Sequence, residues 1–217
     1  METVTYAVIT TEKYKDRQRA ILNTWGRNKR IFFYSDGLDP EINVIKLSER
    51  SDYTSGEEKC INAVNLVRAT GIGTDWIFFV DDDTYVCASN LHNYLKAADK
   101  SKIHCYEVSE IKSPDNPIFK KVRTEFTYPA GGAGFAIHHS LLSKLRPFRL
   151  FGTGWGDVSV GINLTLQGIA LVSDDRFHSL SFRDGSSSYV DPHAITYHYV
   201  KTLVDHQYLE QFFTTQA

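Results

Sequence analysis

Over the first 95 residues, short apolar runs alternate with segments whose apolar residues recur at helical spacing. Val4–Ile9 reads as a buried strand, and Ala20, Ile21, Leu22 and Trp25 give residues 14–25 a helical stripe. Residues 30–34 form a second strand that stops at the polar turn Ser35-Asp36-Gly37, and residues 44–47 form a third, shorter one. Ile61, Val64, Leu66 and Val67 supply one side of a helix over about 57–69, with Gly71 placed to end it. The next run, 76–80, is apolar throughout and drives straight into Asp81-Asp82-Asp83 before resuming as Tyr85-Val86. Strands alternating with helices predict an open α/β sheet whose ligands bind beyond the carboxyl ends of the strands, where Thr10, Asp36 and Asp81 to Asp83 stand.

The second half is less regular. Residues 113–117, with two prolines, read as a loop, and the glycine-rich Gly131-Gly132-Ala133-Gly134 leads into a strand at 135–137. A short helix is expected at 140–145, and a longer apolar one at 158–166 that Gly168 ends. Strands follow at 169–172 and 177–178; residues 195–200 alternate like a strand, and 203–213 close the chain as an amphipathic helix. No internal repeat or low-complexity linker interrupts this order, so residues 1–217 read as one domain.

Composition narrows the partners. The chain has 217 residues, 42% of them hydrophobic, enough to bury a substantial core. Its 24 basic and 26 acidic residues leave a formal net charge of −2, without the basic field of a nucleic-acid binder. Cys60, Cys87 and Cys105 lack metal-site spacing and read as reduced thiols. The first strand begins at once, leaving no room for a signal peptide, and no apolar run reaches the ~20 residues of a membrane span. The expectation is a soluble protein inside a cell, or else a chain that has been trimmed.

The aspartate triplet is the strongest chemical signal. Adjacent carboxylates at the end of a buried strand repel one another and lose hydration, so they call for a cation or a dense set of donors. Oxygen ligands of this kind suit Mg²⁺ or Mn²⁺, ions usually held by one or two carboxylates together with substrate phosphates. A solvated acidic turn is the alternative.

In its setting, from Phe79 through Asp81-Asp82-Asp83 to Val86 with Gly131 to Phe135 downstream, the triplet resembles the fringe-like β3-glycosyltransferases, a GT-A group that includes the core 1 galactosyltransferases. The resemblance implies a GT-A fold with a mixed central sheet flanked by helices. It divides the chain into a nucleotide-binding half at 1–95 and a donor-sugar and acceptor half at 96–217. The implied partners are a UDP-sugar donor and a glycan or glycoprotein acceptor, with Mn²⁺ as cofactor and Mg²⁺ as the alternative, and the trimmed form it implies is the luminal catalytic domain of a Golgi-type enzyme.

Residue by residue, the resemblance places Thr10, Thr11, Arg17 and Asp36 along the nucleotide, where Arg17 has the alternative of a solvated helix position and Asp36 that of a turn residue. Asp81 and Asp83 become metal ligands, while Asp81 and Asp82 support the nucleotide sugar. Gly132 and Ala133 let the backbone approach the sugar diphosphate, unless the glycines only make a turn. Trp155 packs on the sugar, and Asp157 is the general base of an inverting reaction, a role compatible with capping the helix that follows. Fringe proteins take a metal-ligand histidine just after a Phe-His pair, but here that position is Leu180. His198 instead resembles the late histidine of the core 1 galactosyltransferases and becomes the third ligand, with a packed strand histidine as its alternative. The sequon at Asn163 lies in an expected helix, which argues against glycosylation there. A retaining transferase, a non-catalytic nucleotide-sugar-binding module and a metal-dependent phosphoryl-transfer enzyme are the rival readings; the last lacks a Walker loop.

Overall fold

The computed structural model describes residues 2–52, 54–109, 125–183 and 190–215; the expected loop at 113–117 lies outside them. β1 (Val4–Ile9) is flanked by β2 (Arg30–Ser35) and β4 (Trp76–Asp81), both parallel to it. These apolar strands need cover on both faces. Alternation divides their side chains accordingly: Tyr6, Val8, Phe33, Phe78 and Val80 enter one apolar cluster, and Ala7, Tyr34, Ile77 and Phe79 the other. On the first face Ile21 of α1 (Lys15–Asn23), Leu91 of α3 (Ala88–Leu95) and Leu209 of α6 (Leu203–Thr215) complete the cluster. Ile61 and Val64 of α2 (Ser55–Thr70), Leu141 of α4 (His139–Leu142) and Val160 of α5 (Gly156–Thr165) do so on the second.

The sheet has seven strands in the order β10 (Leu171–Ser173), β6 (Ile103–Cys105), β9 (Phe135–His138), β4, β1, β2 and β3 (Val44–Lys46). β9 runs antiparallel to both of its neighbours, and the other adjacent pairs are parallel, so the sheet is mixed. A smaller sheet joins β11 (Phe177–His178), β12 (Thr196–Tyr197) and β5 (Tyr85–Val86), and β7 (Glu107–Ser109) pairs with β8 (Thr127–Pro129).

The largest departure from the expected elements lies at 195–200. Only Thr196 and Tyr197 are paired as a strand. The backbone leaves the sheet at His198, and Tyr199 turns it with a left-handed φ of 59°. Val200 N then donates to Asp83 O at 2.7 Å, a bond that an uninterrupted strand would not have directed at the triplet. α3, β6, β7 and β8 had no expected counterpart, and the elements that were expected differ at their ends. α5 starts at Gly156 rather than 158, α4 spans His139–Leu142 rather than 140–145, and β10 is Leu171–Ser173 rather than 169–172. α2 ends as expected at Gly71, whose φ of 54° suits a glycine and whose N–H caps Val67 O. The cysteines are buried and unpaired, and among the described residues no helix is long and apolar enough to cross a membrane.

Candidate active site

The carboxyl ends of β1 and β4 open on a cleft of about 670 Å³. β4 ends at Asp81, so Asp82 and Asp83 leave the sheet in a turn and point their carboxylates in different directions. Asp82 is engaged by the protein itself: Thr10 Oγ1 donates to Oδ2 at 2.6 Å and Arg17 Nη1 to Oδ1 at 2.8 Å. Burial raises its pKa, a rise that those two donors reduce. Arg17 also lies 3.5 Å from Asp83, and its guanidinium sits 3.8 Å over the Tyr14 ring.

Asp83 Oδ1 faces His198 Nε2 at 3.2 Å, while His198 Nδ1 lies 3.1 Å from Ser179 O. A carbonyl can only accept, so Nδ1 carries a proton and a neutral His198 presents a bare Nε2 lone pair to a carboxylate. That contact repels unless a proton or metal ion lies between the two. Burial works against the His198 cation, but Asp83 and Asp81 outweigh it and raise the imidazole pKa. Burial likewise opposes the Asp83 charge, and His198 and Arg17 outweigh it to lower that pKa. The Asp81 carboxyl is pushed up by burial and by the charges of Asp83 and Asp157. One ligand atom from each of Asp81, Asp83 and His198 falls within 4.8 Å of the others. Two carboxylates and one imidazole whose second nitrogen is anchored to a carbonyl fit a hard or borderline divalent ion such as Mn²⁺.

The glycine pair separates this cluster from Asp157. A Cβ on Gly131 would lie 3.2 Å from the Asp157 side chain, and one on Gly132 would fall 2.2 Å from the His198 ring. Thr84 Oγ1 holds Gly132 O at 2.8 Å, and Thr196 Oγ1 holds Ala133 O at the same distance, which fixes the loop between the two walls. Asp157, in the first turn of α5, accepts from Gly131 N on Oδ2 at 3.1 Å and from Val158 N on Oδ1 at 2.8 Å. Burial raises its pKa despite those bonds.

The Fringe-like family matches residues 1–217. β-1,3-N-acetylglucosaminyltransferase lunatic fringe of Gallus gallus is 30% identical over 200 residues, covering 80% of this chain and 54% of the relative. The Homo sapiens protein of that name is 32% identical over 200 residues, with 80% and 52% covered. The chain belongs to the Fringe-like family. It spans about half the length of these curated relatives. Among solved structures, galactosyltransferase LgtC in complex with donor and acceptor sugar analogues superposes with a TM-score of 0.52 at 13% identity, over 90% of this chain and 86% of that one. The shared fold is GT-A.

In this Fringe-like chain Thr10, Thr11, Arg17, Asp81, Asp82, Asp83, Gly132, Trp155, Asp157 and His198 all line the one cleft. Trp155 stands on its rim, about half exposed. Asp36 and Ala133 do not line it. Asp36 is buried behind Thr11, accepting from Thr11 Oγ1 at 3.0 Å and Glu12 N at 2.8 Å, so it braces the β1–α1 junction. Ala133 is fully buried, its carbonyl taken by Thr196.

Two residues that sequence reasoning passed over stand near the start of α2. Lys59 lines the cleft and is only 5% exposed; burial lowers its pKa, against the opposing pull of Asp36, Asp82, Asp52 and Asp81. Glu57 is buried behind the Trp155 loop. Its Oε1 accepts from Phe151 N, Gly152 N and Ser159 Oγ at 2.7, 3.0 and 2.7 Å, and its Oε2 from Gly154 N at 2.9 Å. Burial opposes the Glu57 charge, but these donors prevail and lower its pKa. The available signal for Glu57 was its spacing, since it shares the apolar side of one helix with Cys60, Ile61 and Val64; Lys59 lies off that side and had no such signal.

Proposed function

We propose that this chain is a metal-dependent glycosyltransferase that moves a hexose from a UDP-sugar to a hydroxyl of a glycan or glycoprotein, with inversion and with Asp157 as base. The observation that carries the reading is the division of one cleft into two chemistries. Asp81, Asp83 and His198 form a cation-seeking cluster, and Asp157, a half-buried carboxylate of raised pKa, stands across the glycine pair from it.

Asp81, Asp83 and His198 would hold Mn²⁺, or Mg²⁺ in its place. A bound divalent ion supplies Lewis-acid stabilisation of the negative charge that collects on the leaving diphosphate. The chain's own cations, Lys13, Arg17, Lys59 and Lys201, line the same cleft and offset the phosphate charge. Asp157 accepts the proton of the acceptor hydroxyl as that oxygen bonds to the anomeric carbon; the bond from that carbon to the diphosphate oxygen breaks, and its electron pair leaves with UDP. A raised carboxyl pKa makes Asp157 a stronger base than an exposed aspartate. Trp155 offers an aromatic face at the rim for a sugar ring. N-acetylglucosamine, the sugar in the names of the lunatic fringe relatives, is the first donor to test, with glucose, galactose and a deoxysugar such as rhamnose as alternatives.

The test is calorimetric titration of UDP into the metal-stripped protein with and without Mn²⁺. The reading expects tighter UDP binding with Mn²⁺, and loss of that gain in Asp83→Ala. Equal affinity with and without the ion, or an undiminished gain in Asp83→Ala, overturns it.

A further inference from the structure

β4 carries metal-binding chemistry at both ends. Asp81 closes the strand in the cleft; Asp75 immediately precedes it at the opposite edge of the sheet, about 20 Å away at the rise of an extended strand. There Asp75 meets His138, the last residue of β9, and His139, the first of α4. One ligand atom from each of the three lies within 4.8 Å of the others, the second such group among the described residues. We propose that Asp75, His138 and His139 form a second metal site, independent of the cleft, that takes a borderline divalent ion of the Zn²⁺ type.

The pieces are held in register by the fold. Trp76 pairs with His138 across β4 and β9, and His139 N donates to Asp75 O at 2.8 Å, so the backbone fixes the three side chains relative to one another. Asp75 uses a single oxygen, Oδ2, for Thr3 N at 2.8 Å and Thr3 Oγ1 at 3.0 Å, which leaves Oδ1 for a ligand bond. His138 is buried against Trp76, the ring centroids 5.0 Å apart, which restricts its rotation. Its Nδ1 lies 2.8 Å from Ser140 Oγ and accepts from Ser140 N at 3.2 Å. When Nε2 takes an ion, the proton moves to Nδ1 with the Ser140 hydroxyl as its acceptor, an outer-shell arrangement usual for ligating histidines, and the bond that Ser140 N donates to Nδ1 is given up. His139 is exposed and, with Asp75, borders a cavity of about 250 Å³, which gives an ion a way in and room for water as a fourth ligand.

The donor sets at the two ends of the strand differ in kind. Two carboxylates and one imidazole in the cleft favour harder ions; two imidazoles and one carboxylate at the base favour Zn²⁺ over Mn²⁺. A bound ion would tie the start of β4 to the β9–α4 junction, and because the unfolded chain does not bring the three residues together, it would stabilise the fold.

The probe is Zn²⁺, titrated by calorimetry into the metal-stripped, untagged chain bearing Asp83→Ala to disable the cleft cluster. One ion per chain is expected, with a rise in Tm. Adding His139→Ala, an exposed position whose side chain carries no core packing, is expected to weaken Zn²⁺ binding by at least ~10-fold and abolish the rise in Tm. Asp75→Asn should weaken binding in the same direction. Absence of stoichiometric Zn²⁺ binding to the Asp83→Ala protein, or undiminished binding after His139→Ala, overturns the proposal. Neither result depends on glycosyl transfer, so the proposal stands or falls separately from the function assigned to the cleft.

Discussion

His206 is fully buried in α6, with Nε2 3.1 Å from Val200 O, and burial pulls its pKa from 6.5 down to about 4. A histidine held neutral in the fold binds fewer protons than in the unfolded chain, so its contribution to stability is complete above 6.5 and is lost as pH falls from 6.5 towards 4. Between pH 7 and pH 5 that loss amounts to about 2 kcal/mol. Urea unfolding of the wild type and of His206→Gln at both pH values checks this. The wild type is expected to lose about 2 kcal/mol more than the variant, since all other groups titrate in both. An equal loss would remove His206 from the account. Val200, whose carbonyl meets His206, also donates its N–H to Asp83, so the same residue joins the last helix to the aspartate turn.

At the scale of elements, close backbone approach decides what the glycine loop does. A glycine cluster in a sequence reads as readily as a turn, and what makes this one a spacer is the packing of His198 on one residue and Asp157 on its neighbour. Gly132→Ala would place a methyl group 2.2 Å from the imidazole, and the ring must swing away. Far-ultraviolet circular dichroism should stay as in the wild type while Mn²⁺ affinity falls by at least ~10-fold; unchanged Mn²⁺ binding would contradict the spacing role. The strands β1, β2 and β4 and the helix α2 were legible because they are long and their periodicity is strong. The end of β12 was not, because Ile195 to Val200 alternates perfectly well as a strand and only a tertiary bond, from Val200 N to Asp83 O, shows where the chain turns away. β6, only three residues long, is too short for a periodic signal, and β10, equally short, was expected from its apolar run but with its ends misplaced. Asp36 was assigned to the nucleotide from its place at the end of β2, which it does occupy; its side chain was claimed instead by the N–H and hydroxyl donors of the β1–α1 junction.

Across the whole molecule, the cleft draws residues from both halves of the chain, from Thr10 to His198. A near-neutral net charge of −2 hides this local organisation: Asp81, Asp82, Asp83 and Asp157 lie among Lys13, Arg17, Lys59 and Lys201. Carboxylates and cations side by side in one cavity suit a substrate that brings its own phosphates and shares a metal ion with the protein, as proposed for this cleft. Base catalysis on one wall and charge stabilisation on the other would then be separable by mutation. The most direct measurement is Mn²⁺-supported sugar transfer from a panel of UDP-sugars, beginning with UDP-N-acetylglucosamine, by the wild type and by Asp157→Asn, with the dissociation constant of UDP measured alongside. Asp157→Asn is expected to bind UDP with Mn²⁺ as the wild type does and to transfer sugar ~10²- to 10⁴-fold more slowly. Transfer at the wild-type rate by Asp157→Asn, or absence of transfer from every donor by the wild type, would contradict it.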